Sequence, residues 1–329
     1  MKQTFQTYEE FMAGARKGRP LTNSIGRKAM TRAKLQSLIV QGFGQGRDDD
    51  YQSWITVTRG NAPRMSNHTI AMGSIGSRPM HFLSPLEHRA GRVATWLGAR
   101  EIRPQFPLFP WHGHPHPMAG LDQSYDASLP VMPGLLEIAH EAGIDHGAYV
   151  GSPELPYVAT SDFVARFGPA SNQRLTFWTV KPVGVLKDEK PGSRMRQRIE
   201  LERLYAEQAG GRHVLFDGEQ VSDTLTANLD WLEPPRHERT DASQIERRGR
   251  FVDAFNAQAA EVALRDRISS ASTAIGVEVV DGQRMFRAAA WLTEIDIDLR
   301  ARVLMSAPMR GGGRAHKQAV YQEIVGAKQ

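Results

Sequence analysis

An acid inside one apolar run and a lysine inside another are the first residues in this chain that could do chemistry. Asp162 lies in "TSDFVARF" and Lys181 in "FWTVKP", with the loop "GPASNQ" between the two runs. A buried lone charge is costly, so each group needs a partner, and the simplest is the other one, as an ion pair across a hairpin. The alternative is a metal-dependent nuclease centre, where an acid on one strand and a carboxylate-x-lysine on the next converge on a divalent ion. There the metal activates water and stabilises charge at the leaving oxygen, and the lysine orients the nucleophile or steadies the phosphorus. The position two before the lysine holds Thr179 in place of a carboxylate. Its hydroxyl can ligate but carries no charge, so a second acid must come from elsewhere. Glu87, in "FLSPLEHRAG", is a source, although three residues after Ser84 it also fits a capping box. On the residues alone both roles stay open.

The elements that would position these groups read as mixed α/β. Ser84 as N-cap, Pro85 in the first helical position and the spacing of Leu86, Ala90, Val93, Ala94 and Leu97 predict a helix over 82–99. "EIRPQFPLFP" reads as a strand closed by prolines, and "YVATSDFVARF" and "RLTFWTVKP" read as a hairpin. A loop is expected over 111–133 and a short helix in "GLLEIAHEAGIDH". An amphipathic helix is expected in "RMRQRIELERLYAEQAG", and a strand in "HVLF". "WITV" at 54–57 also looks like a strand. "EPPRHERTD" at 233–241 is the best domain boundary. Beyond it, helices are expected at 244–259, 260–272 and 284–293, then a strand in "ARVLMSAPM" and a turn at "GGGR", the plan of a winged-helix module. The resulting division is a basic arm at 1–40, a catalytic domain at 41–233 and a C-terminal domain at 234–329.

The chain has 329 residues, enough for about two domains, and 41 Lys+Arg against 36 Asp+Glu give a formal charge of +5. Eight of those cations (Lys2, Arg16, Lys17, Arg19, Arg27, Lys28, Arg32 and Lys34) fall in the first 38 residues, either as a solvated tail or as a DNA-contacting arm. With no cysteine, disulfides, thiolate metal sites and a cysteine nucleophile are excluded. No apolar stretch approaches the roughly 20 residues of a spanning helix, so a cytoplasmic protein with no membrane partner is expected, nucleoid-associated when assembled.

Taken together, "GQGRDDDYQSWITV", "HFLSPLEHRAG", "IRPQFPLFP", "LLEIAHEAGIDH", "TSDFVARF", "FWTVKP", "IELERLYAE" and "NLDWL" resemble TnsA, the endonuclease subunit of heteromeric transposases, over about residues 42–232. The resemblance implies a restriction-endonuclease-like domain that cuts the 5′ transposon ends, with Glu87, Asp162 and Lys181 at its catalytic positions. Mg2+, with Mn2+ able to replace it, is then held by Glu87, Asp162, the backbone oxygen of Val180 and, as an option, Thr179, where that family has Gln or Glu. Ala206 stands where the family tends to have Trp, which reads as packing. Gln105, in "QFPL", lies either near the site or at a strand end. The implied partners are transposon-end DNA, the DDE-type transposase TnsB and the AAA+ regulator TnsC, which the winged-helix domain engages. Two alternatives remain: a free-standing restriction- or repair-type nuclease, and a DNA-binding assembly factor whose site has decayed at Thr179.

Other signals are weaker. His112, His114 and His116 alternate in "WHGHPHP" and could clasp a transition metal, or simply be solvated. Gly42, Gly44 and Gly46 lack the spacing and the following helix of a dinucleotide site, and His140, Glu141 and His146 miss the zincin spacing. No serine-hydrolase elbow or P-loop occurs. Residues 234–329 hold fifteen Lys/Arg and twelve Asp/Glu. Arg310 and Arg314, flanking three glycines, are the phosphate candidates there, and an ordinary solvated turn is the alternative.

Overall fold

The computed structural model describes residues 5–17, 30–57, 75–76, 78–169, 172–188 and 190–326. Lys2, Arg19, Arg27 and Lys28 of the expected basic arm lie outside them. The chain divides into two compact units, Met1–Ala71 with Arg78–His88 and Arg100–Asp217, and Met72–Ser77 with Arg89–Ala99 and Gly218–Gln329.

The first unit is built on a four-stranded mixed sheet. Six strands occur among the described residues: β1 Glu101–Leu108, β2 Ala148–Tyr149, β3 Ser152–Pro156, β4 Ala159–Phe167, β5 Arg174–Val180 and β6 Arg212–Phe216. The main sheet runs β1-β4-β5-β6, with β6 parallel to β5 and the other pairs antiparallel. β2 and β3 form a separate two-stranded ribbon. The edge position suits β1, because Pro104 and Pro107 have no N–H to give a second neighbour. Phe177, wholly buried on β5, packs edge-on against Phe106 and Tyr205, with ring centroids 6.2 and 5.8 Å away. The opposite face stacks Phe163 on Trp178 at 4.9 Å. The helices Leu135–Glu141 and Arg194–Gln208 cover the Phe177 face through Leu135, Ile138, Leu201 and Tyr205.

The N-terminal residues are partly core. The helix Arg32–Val40 buries Leu35, Leu38 and Ile39, and Phe11 stacks on Trp111 at 3.6 Å. Arg32 donates to the carbonyls of Glu10 and Phe11, so it is spent within the fold. "WITV" is not a strand. It follows a 3-10 turn at Asp48–Asp50, and Trp54 N donates to Gln105 O.

The second unit's helices include Asp223–Leu232, Ala242–Asn256, Leu264–Ala274, Val279–Trp291 and Gly313–Ile324. Leu229, Phe251, Phe255, Ile268, Phe286 and Trp291 form its buried interior. The strand and wing expected after residue 300 do not form. Residues 301–309 are irregular apart from an isolated bridge, Ala263 to Pro308, and among the described residues this unit holds no strand. "GGGR" does not close a wing but starts the Gly313–Ile324 helix. Arg314 therefore sits in a first helical turn, with its guanidinium on Thr293 O and its N–H on Asp296. The Arg310 side chain is exposed. No described helix is long and apolar enough to cross a membrane.

Candidate active site

Residues of the first unit bring the predicted acids and lysine together. Glu87 sits in the first turn of the Pro85–Trp96 helix, where its N–H donates to Ser84 Oγ at 3.1 Å. Its carboxylate accepts from Ser84 Oγ at 3.1 Å and Leu83 N at 2.9 Å, so the capping role is real. It does not use up the side chain, because Oε2 also accepts from Gln105 Nε2 at 3.1 Å. Asp162 lies on β4 directly across from Gln105 on β1, between the paired residues Pro104–Phe163 and Phe106–Ser161. Asp162 Oδ2 accepts from Val180 N at 2.6 Å and from Lys181 Nζ at 3.2 Å. Lys181 Nζ also donates to Val180 O at 2.9 Å. The ion pair across the hairpin thus exists, and both partners keep some exposure, 30% for the lysine and 16% for the aspartate.

Gln105 ties the constellation together. It is 1% exposed, and its amide also lies 3.5 Å from Asp162 O. Its φ of +51 is rare for a residue with a Cβ and costs of the order of 1 kcal/mol or more. The surroundings hold the backbone there: Trp54 N donates to Gln105 O at 3.1 Å, and Tyr51 Oη lies 3.5 Å from the same oxygen.

Sequence reasoning missed Glu202. It lies on the Arg194–Gln208 helix, 7% exposed, and accepts from Thr179 Oγ1. A signal was present, because Leu201, Glu202, Tyr205 and Ala206 share a buried stripe at helical spacing. Thr179, a candidate ligand, is fully buried. Its hydroxyl is occupied by Glu202 and, at 2.8 Å, by His213 Nε2, so it is not offered to an ion. A carboxylate from the helix thus lies against Thr179.

Burial, and after it repulsion among the acids, sets the electrostatics. Burial first, then the Asp162 carboxylate, pushes Glu87 up to about 8. The same causes in the same order push Glu202 up to about 7. Burial alone would lower Lys181, but Asp162, Glu202 and Glu87 outweigh it and the amine's proton is held more tightly than usual. Burial drives His213 down to about 4, keeping it neutral. Among the described residues, no three His, Asp or Glu side chains form a ready-made metal cage. Mg2+ does not need one. It keeps several waters and takes one or two carboxylates together with substrate phosphates, so Glu87 and Asp162, repelling each other, are a suitable pair.

No protein-family model matches the chain. It is similar to the transposon Tn7 transposition protein TnsA of Escherichia coli, with 26% identity over 224 residues, 66% of this chain and 68% of that protein. The relationship is TnsA-like and distant. The mixed sheet is compatible with a nuclease fold.

The three histidines of "WHGHPHP" do not converge. His112 Nδ1 is 3.0 Å from Glu137, and His116 Nδ1 accepts from Met118 N. His114, buried and pushed down to about 4 by burial, stacks on Tyr205, whose hydroxyl is 3.3 Å from its Nε2.

Proposed function

We propose that the chain is a divalent-metal-dependent DNA endonuclease, the TnsA-like subunit of a heteromeric transposase that hydrolyses phosphodiesters at the 5′ transposon ends. The observation that carries this reading is the meeting of Glu87 on a helix turn, Asp162 on β4 and Lys181 just past the end of β5, with Gln105 reaching Glu87 and the Asp162 backbone. The distant likeness to a transposition protein supports the same assignment. Glu87, Asp162 and the Val180 carbonyl would hold Mg2+, which when bound supplies Lewis-acid activation of water and of the scissile phosphate. Asp162 orients the Lys181 amine, and the amine, still protonated, sits against a non-bridging oxygen or the attacking water. Glu202, through Thr179, keeps the β5 end fixed and adds negative charge that favours the cation. Arg310 and, with less freedom, Arg314 are phosphate contacts in the second unit. TnsB-like and TnsC-like proteins are the partners.

The test is cleavage of end DNA by the purified chain with a DDE transposase, an AAA+ regulator and Mg2+. Asp162→Ala should abolish cutting, by 1000-fold or more on the order of a lost catalytic group, and leave fold and DNA binding unchanged. Cutting unchanged in that variant removes the site. Cutting of naked DNA by the chain alone favours the free-standing nuclease, and no Mn2+ uptake by calorimetry favours the assembly factor.

A further inference from the structure

Beside the acids, the first unit has a small cavity that the proposed mechanism does not use. Its volume is about 160 Å³, and its lining includes Leu135, Ala148, Tyr157, Leu201 and Glu202. That is below the 300–1,000 Å³ of ordinary ligand pockets, roughly the room for one ring system. Arg194, Arg198, Leu201 and Glu202 come from one face of the Arg194–Gln208 helix, at the spacing that aligns side chains along it. Arg194 is built in: its guanidinium donates to the carbonyls of Asp145 and, at 2.7 Å, His146. It lies over Gly147, where a Cβ would come within 2.7 Å of it, and a φ of +85 favours glycine in any case. Arg198 is exposed and draws on the Glu202 carboxylate.

His146 also lines the cavity. Its Nδ1 lies 2.8 Å from Gly147 O and must be the donor there. Burial lowers the proton affinity of the ring, so Nε2 is a bare acceptor, and it is buried without a hydrogen-bond partner. An N–H is what it lacks.

We propose that this cavity is a subsite for one nucleobase of the DNA strand being cut, drawn out of its stack next to the scissile phosphate. A base offers a flat apolar ring to Leu135, Tyr157 and Leu201, while the phosphates of its strand meet Arg198. Rings, apolar walls and guanidinium planes are how proteins hold unstacked bases. Glu202 belongs to both the cavity and the catalytic constellation, which sets the base beside the cut. The proposal rests on the nuclease reading and names the part of the substrate that reading leaves unplaced.

The experiment is photocrosslinking of the full chain to short DNA strands carrying 5-iodouracil at single positions, with Ca2+ in place of Mg2+, followed by mapping of the linked residue. The expected result is a crosslink at Tyr157 or His146. Ala148→Phe, which fills the cavity from an exposed position, should cut its yield about tenfold while overall DNA retention stays within about twofold. Arg198→Ala, a change at an exposed residue, should weaken retention and lower its salt dependence by about one counterion. Crosslinks only elsewhere, or a yield indifferent to a folded Ala148→Phe protein, overturn the subsite. A chain that retains no DNA even with the DDE transposase and AAA+ regulator present overturns the nuclease reading itself.

Discussion

At the scale of single residues, the site is a cluster of acids short of cations, and its pH behaviour follows. Glu87 binds its proton more tightly folded, at about 8, than unfolded, near the ordinary 4.5. Its contribution to stability is therefore fully present below about 4.5 and is lost as the pH rises through about 8. Glu202, up at about 7, adds to the same window. Denaturation of the metal-free protein should show stability falling between about pH 5 and 8. Mg2+ should raise the melting temperature more at pH 8.5 than at pH 6, because it competes with those protons. An equal rise at both values would mean that these acids do not hold the ion. Gln105 is the second test. Gln105→Met keeps the volume and loses the amide that spans Glu87 and Asp162 O, so Mn2+ affinity should fall about tenfold with an unchanged circular dichroism spectrum. Unchanged affinity would make the amide mere filling.

At the scale of elements, the sheet is what fixes the distances. β4 and β5 were legible from their apolar runs, and the register Phe163–Trp178 sets Asp162 beside the end of β5, where Val180 closes the strand and Lys181 follows. Phe177 anchors that register between Phe106 and Tyr205. Phe177→Ala should cost about 3–5 kcal/mol in chemical denaturation, because the cavity it leaves lies among rigid rings. A loss under about 1 kcal/mol would show that the sheet collapses around the gap. The missing C-terminal strand has a plain physical reason. "ARVLMSAPM" alternates well enough for a strand, but alternation needs a partner edge, and the irregular chain satisfies its backbone elsewhere: Leu264 N and Arg265 N donate to Ala307 O and Met305 O.

At the scale of the whole molecule, the +5 charge is too small to stand as a DNA footprint by itself. The useful cations are those not already engaged in the fold. Arg310 is exposed, whereas Arg314 is committed to Thr293 O. Arg310→Ala should therefore reduce the salt dependence of DNA binding by about one counterion and leave melting unchanged, measured by fluorescence anisotropy at several salt concentrations. A slope identical to that of the unaltered protein would remove Arg310 from the interface.

The sequence by itself determined the mixed α/β character and the β4–β5 hairpin, because periodicity is a local signal; charges inside apolar runs drew attention to Asp162 and Lys181, and only the family resemblance singled out Glu87 beside them. Only the tertiary structure decided that Glu202 lies against Thr179, that Gln105 links Glu87 to the Asp162 backbone from a strained conformation, and that residues after 300 make a helix start and not a wing. Each of these depends on which distant segment comes to lie alongside, and hydrogen bonds between residues far apart in the chain leave no spacing to read.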